Sequence, residues 1–280
     1  MSNFIKSVKS YLKYNNKSHF SDLMIGGNKV DTFEIEYDKK IKLEFKTVTD
    51  NDDINIYISN EFNYEKLDII SSCLTIKINK KYKIAYIEGI SSDNFSCFNN
   101  SDFILRNESG FYLQMTIKML KKYKEKFNIN KIQLRDNAVI KLKNGLTYNL
   151  SQFKLLTENT TWYEKYGFRI DNMKIKEKYK LSKKILNKLK AKDLKFDNIL
   201  RKVLIGIQDE KIINEINIIL KLTDDYKEYN LINFLNNIFV INKSKIRYII
   251  YALIIDKLLD RLSYKFNYEK YIPNTYYIKL

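Results

Sequence analysis

The 280-residue sequence predicts an α+β protein: a mixed, mainly antiparallel sheet flanked by helices, followed by a basic α-helical C-terminal domain. Three observations predict it. Apolar residues recur with period two from about residue 30 to 90, the period changes to that of a helix after Gly110, and beyond Asp171 the chain turns basic and helical. The corresponding domains are an N-terminal helical or linker segment over 1–29, an α+β domain over 30–172 and a basic helical domain over 173–280.

Within the sheet region, "DTFEIEYDKKIKLEFKTV" alternates Phe33, Ile35 and Tyr37, then Ile41, Leu43 and Phe45, against charged neighbours, as a half-buried antiparallel pair does. "INIYIS", "SSCLTIKIN" and "KYKIAYIEGIS" continue the alternation, with Asn79-Lys80-Lys81 as the hairpin connection between the last two. "IGGN" at 25–28 is a turn, because a phosphate loop requires a following Lys-Ser/Thr pair. Leu113, Ile117, Leu120 and Phe127 then share a helical face opposite Lys118, Lys121, Lys122 and Glu125. "KIQLRD" returns to strand, and "NLSQFKLLTENTTWYEKYGF" forms a second helix with Ser151 as its N-cap.

Composition bounds the function. An apolar fraction of 45% with 14% aromatics offsets chain entropy by burial, so the chain folds. Seven glycines and one proline leave the turns to Asn, Asp and Ser. Cys73, Cys97 and the lone His19 cannot supply a zinc site, and His19 lies in a polar connection that suits a surface residue. "YIIYALII" at 248–255 is closed off by Arg247 and Asp256, too short to span a bilayer, and reads as a buried helix. The N-terminus places Phe4, Val8, Tyr11 and Leu12 at helical spacing without the continuous apolar core of a secretion signal. No membrane association and an intracellular, cytoplasmic location are expected. The net charge of +17 attracts anionic partners whether selection or an AT-rich genome produced it.

The run "ESGFYLQMTIKMLKKYKEKFNINKIQLRD" followed by "WYEKYGF" resembles the core of the GCN5-related N-acetyltransferase (GNAT) superfamily. The longer form "GLTYNLSQFKLLTENTTWYEKYGF" is similar to GNAT-like proteins of large DNA viruses, for which host cytoplasm or virion would be the location. The resemblance covers about residues 30–170. It implies acetyl-CoA as cofactor, an amine as acetyl acceptor, and a central strand opening into a helix whose N-terminus holds the coenzyme pyrophosphate. Free N–H groups and the helix dipole favour an anion there. The family pattern Gln/Arg-x-x-Gly-x-Gly/Ala falls on Arg106, Ser109, Gly110, Phe111 and Tyr112, with one extra residue before the glycine and bulky side chains after it. Tyr163, opening Tyr-x-x-x-Gly-Phe, is the implied general acid, since a phenol near pKa ~10 can donate at neutral pH. Glu88, on the strand before the loop, is the carboxylate suited to general base, and Asp136 is second to it. Trp162 and Phe168 are core anchors, and Gly167 supplies a left-handed helix end.

Residues 174–202 carry twelve Lys or Arg against three acids. Leu181, Ile185 and Leu189 form an apolar stripe with Lys180, Lys183, Lys184, Lys188 and Lys190 opposite, so the segment is an amphipathic basic helix, with Lys180, Lys183, Lys184 and Lys188 the candidates to bind nucleic acid or a protein partner. Further helices follow at "DEKIINEINIILKL", "YNLINFLNNIFV" and "SKIRYIIYALIIDKLLDRLSYKF", broken at "LTDD" and "NKS", and the last twenty residues lie as an extended tail over the bundle. Two functions fit this sequence: an N-acetyltransferase moving acetyl from coenzyme A to an amine, or a non-catalytic protein of the same fold that binds a partner through its basic helices.

Overall fold

The computed structural model describes residues 23–25, 28–37, 41–50, 53–58, 61–63, 68–71, 74–90, 108–241, 244–269 and 273–280. Residues 1–22 of the expected N-terminal segment, His19 among them, lie outside these, as do Cys73, Cys97 and Arg106; at the segment's end, 23–25 and 28–29 are strand rather than helix or linker. Two compact units divide the chain, Met1–Arg135 with Tyr277–Leu280, and Asp136–Tyr276. The division falls at the end of the strand "KIQLR".

The first unit holds the meander that alternation predicts. Strands β1 (Leu23–Ile25), β2 (Asn28–Tyr37), β3 (Ile41–Asp50), β4 (Asp53–Ile58), β7 (Leu74–Asn79) and β8 (Ile84–Ile90) follow one another in the sheet, each pair antiparallel. A side hairpin, β5 (Glu61–Asn63) with β6 (Asp68–Ser71), interrupts the sequence but not the sheet. In the β2–β3 register Phe33 faces Phe45, Ile35 faces Leu43 and Tyr37 faces Ile41. Alternation fixes this pairing, because a one-residue slip would turn every apolar side chain to the other face. Ile54, Ile56, Ile76, Ile78, Ala85 and Ile87 are buried.

Helix α1 (Glu108–Lys122) packs on β2 and β8, burying Leu113, Ile117 and Leu120 and exposing Lys118, Lys121 and Lys122. It leads to β9 (Lys131–Arg135), which is parallel to β8, so β8, α1 and β9 form a crossover unit in an otherwise antiparallel sheet. The C-terminal strand β13 (Thr275–Lys279) follows β9 in the strand order, and Leu280 N–H donates to Asn130 O at 2.9 Å. The tail expected over the bundle thus ends as sheet: Tyr276 and Ile278 alternate inward, a period-two pattern too short to stand out from a tyrosine-rich segment.

The second unit starts with a hairpin, β10 (Val139–Lys141) and β11 (Thr147–Asn149), and helix α2 (Leu150–Glu158). Its N-cap is Asn149, whose side chain accepts the Gln152 N–H at 2.9 Å, and not Ser151, which is buried inside the first turn. Asn reaches the same donors as Ser, and the strand's end at Asn149 decides between them. A 3₁₀ turn (Tyr163–Tyr166) ends at Gly167, whose φ of 85° is the left-handed region expected of it, and the two-residue strand β12 (Arg169–Ile170) follows.

Then come α3 (Met173–Lys188), α4 (Phe196–Leu204), α5 (Glu210–Asp225), α6 (Leu231–Asn236) and α7 (Lys245–Phe266). Helix α5 runs through "LTDD" rather than breaking at it. Buried Arg247 on α7 donates from Nε to Glu215 Oε1 at 2.6 Å and from Nη1 to Ile238 O at 2.9 Å, tying α7 to α5 and to the π-turn after α6. The fold is α+β with a mixed, mostly antiparallel sheet.

Candidate functional site

In the first unit the ladders on the two sides of β8 become irregular near its carboxyl end. β7 pairs with β8 through Ile76↔Ile87 and then Thr75↔Gly89, leaving Glu88 as an extra residue in a β-bulge. The parallel pairing of β8 with β9 runs from Ile84↔Lys131 to Ile87↔Leu134 and stops at the residue before that bulge. A bulge bends its strand and leaves one residue's backbone groups out of the ladder. Glu88 and Gly89 are exposed, and a Cβ on Gly89 would meet open space.

Helix α1 supplies the other side of this end of the sheet. After α1 the chain returns to Asn130, whose N–H donates at 2.9 Å to the carbonyl of Lys83, next to the start of β8. Fifteen helical residues span about 22 Å, close to the length of the seven-residue strand. Helix α1 therefore begins at the carboxyl end of β8, with the N–H groups of its first turn lacking intrahelical acceptors. Ser109 and Gly110 lie in that turn. Phe111 and Tyr112 are buried, their rings edge to face at 5.8 Å, so their side chains serve packing and do not line an open site. Tyr57 on β4 was not singled out by the sequence: burial, then the charge of Glu88, raises its pKa, which identifies it as a neighbour of that carboxylate. No spacing rule joins residues 57 and 88; the strand order does.

In the second unit Tyr163 is buried among Trp162 at 5.0 Å, Tyr276 at 5.1 Å and Phe168 at 6.2 Å. Its hydroxyl is turned to Asp136. Burial, then the charge and hydrogen bonding of Asp136, push the Tyr163 pKa far up, so the phenol keeps its proton at neutral pH. Asp136 is itself raised by burial, with the Ser151 hydroxyl, the Ala138 N–H and the Tyr163 hydroxyl opposing. Ala138 N–H donates to Asp136 Oδ1 at 3.0 Å, the turn role that Asp after a strand suggests. Asp136 Oδ2, Ser151 Oγ and Tyr276 Oη are buried, and none closes a hydrogen bond of full geometry, although these groups are near enough to act on one another electrostatically.

The basic helix α3 is turned differently from its predicted stripe. Its buried residues are Tyr179, Ser182 and Leu186, while Leu181 is 52% exposed and Ile185 half-buried. Lys183 consequently sits at the edge of the buried face, 3.8 Å from Glu164 and over the Tyr179 ring. A cavity of about 520 Å³ runs beside the helix. Arg169, Lys176, Lys180, Lys183, Lys184 and Lys188 line it, so all four lysines predicted for this surface share one groove. Arg169 and Lys176 were missed, although Lys176, Lys180, Lys184 and Lys188 form an unbroken i, i+4 row that the sequence displays. Glu164 is the carboxylate in the lining. Its Oε2 accepts the Thr161 N–H at 2.8 Å, the Thr160 hydroxyl at 3.0 Å and the Tyr179 hydroxyl.

Among the described residues no cluster of His, Cys, Asp and Glu can hold a metal ion, and no helix is long and apolar enough to cross a membrane. Compared with known proteins, the chain matches no protein-family model, no curated protein and no solved structure.

Proposed function

We propose that the chain is a GNAT-like N-acetyltransferase that takes acetyl-CoA at the carboxyl end of β8 and transfers its acetyl group to an amine. One observation carries the reading: the parallel β8–α1–β9 crossover has a bulge near the carboxyl end of β8, where its ladder to β9 ends, with a helix N-terminus on the same side. Ligands of parallel strands collect beyond their carboxyl ends, and free N–H groups there favour phosphate. Acetyl-CoA supplies an activated acetyl thioester. The first turn of α1, at Ser109 and Gly110, receives the pyrophosphate. A backbone N–H freed by the bulge at Glu88 polarises the thioester carbonyl, and exposed Glu88 takes a proton from the incoming amine. A C–N bond forms, the C–S bond breaks, and the thiol regains its proton from water. Tyr163 is buried among aromatic rings, so this reading assigns it to packing, and Tyr163→Phe should leave turnover within a few-fold. A fall of about 10²–10⁴-fold would return it to the role of general acid.

Calorimetry with acetyl-CoA on the full chain tests the reading. Binding is expected, and Ser109→Pro should weaken it about tenfold or more, because it deletes one N–H to a charged acceptor at a helix position that tolerates proline. No heat and no thermal shift at millimolar acetyl-CoA would refute the proposal.

A further inference from the structure

The groove along α3 belongs to the second unit, and its chemistry is independent of acetyl transfer. Six cations line it against one carboxylate, and Glu164 is already engaged by Thr160, Thr161, Tyr179 and Lys183. Among the described residues Arg169, Lys176, Lys180, Lys184 and Lys188 have no carboxylate within ion-pair distance. One carboxylate, Glu164, stands against these charges in the groove, so the lining stays strongly positive and suits a polyanion.

We propose that this groove binds single-stranded nucleic acid through its phosphates. The row Lys176, Lys180, Lys184, Lys188 climbs α3 in steps of about 6 Å and spans about 18 Å, so its charges lie at intervals that successive phosphates of an extended strand can meet. An extended single strand can adjust its backbone to lay successive phosphates along this row, whereas a duplex holds its phosphates on a rigid rod that cannot follow the groove. Phe168, Ile170 and Tyr179 form the floor, but each is buried and offers no free face for base stacking. Binding is therefore electrostatic and tolerant of sequence. An acidic peptide would bring carboxylates at peptide spacing, without the regular charge per residue of a phosphodiester chain.

Fluorescence anisotropy of a labelled 12-nucleotide oligothymidylate against the full chain tests the proposal. Four contacts give a log–log salt slope of about −2.8, so raising salt from about 50 to 200 mM should weaken binding about 50-fold. Changing Lys176, Lys180, Lys184 and Lys188 to Gln should remove nearly all of that slope. A charge-matched control, with exposed Lys141, Lys143, Lys202 and Lys211 changed to Gln, should keep it. All four groove lysines are at least partly exposed, so both variants should retain the wild-type circular dichroism and melting temperature. Four results would each overturn the proposal: no binding at the lower salt, equal loss in the control variant, equal or tighter binding of a 12-base-pair duplex, or equal binding of polyglutamate.

Discussion

Leu186→Ala and Leu181→Ala separate the face that α3 buries from the face that its charge pattern suggests. Leu186 is fully buried, between the turns that carry Tyr179, Ser182 and Leu189. Truncating such a leucine removes its transfer free energy and leaves a cavity, at a cost of about 2–5 kcal/mol. Leu181 is 52% exposed, and surface truncations away from special features stay within about 0.5 kcal/mol. Trp162, the only tryptophan, packs edge-on against Tyr163 and Tyr166, each at 5.0 Å, so its fluorescence follows the second unit alone. In urea, with a slope of about 2 kcal/mol per molar, a loss of about 3 kcal/mol lowers the midpoint by about 1.5 M for Leu186→Ala. Leu181→Ala should move it by less than about 0.3 M at the same slope. Equal shifts for the two variants, or a larger one for Leu181→Ala, would refute the orientation of the helix and with it the groove.

Glu215→Ala leaves the buried Arg247 guanidinium without its carboxylate and should cost about 3–5 kcal/mol in the same urea assay, whereas paired replacement of both by apolar residues should recover most of it. Burial raises the pKa of Glu158, but hydrogen bonds from Lys154 and Lys165 outweigh it and hold the group below its usual value; its stabilisation is present above the unfolded pKa and lost as pH falls through the folded one. Glu158→Gln should therefore lower stability at pH 7 and flatten the acid limb of a stability–pH curve. Asp136 shifts the other way: its folded pKa is raised, so its penalty is absent below the unfolded value, grows as pH rises towards the folded one, and is complete above it. Asp136→Asn should stabilise more at high than at low pH, the difference vanishing at pH 3, with the Ala138 N–H still bonded. Gly167→Ala forces a Cβ into a φ of 85° and should lower stability by about 1–2 kcal/mol in calorimetric melts.

The sheet was legible because period two is a local property: Phe33 to Tyr37 and Ile41 to Phe45 specify both the strands and their register before any long-range contact is known. The left-handed Gly167 was legible for the same reason, depending on a few neighbouring residues, whereas the helix expected after Gly110 begins earlier, at Glu108. Sequence by itself thus determined the α+β class and the helical character of the C-terminal half, but not the helix bounds: the basic helix expected over 174–202 is α3 and α4 with a 3₁₀ turn between them, and α5 runs through "LTDD". Only tertiary structure decided which face of α3 is buried. Tyr179 and Ser182 are less apolar than Leu181, yet Tyr179 is covered because its hydroxyl finds Glu164, and burial follows the satisfied partner rather than side-chain hydrophobicity alone. The same holds for Tyr163 and Asp136, for the bulge at Glu88 and for the parallel return of β9. Each depends on a partner distant in sequence, which no local period can encode.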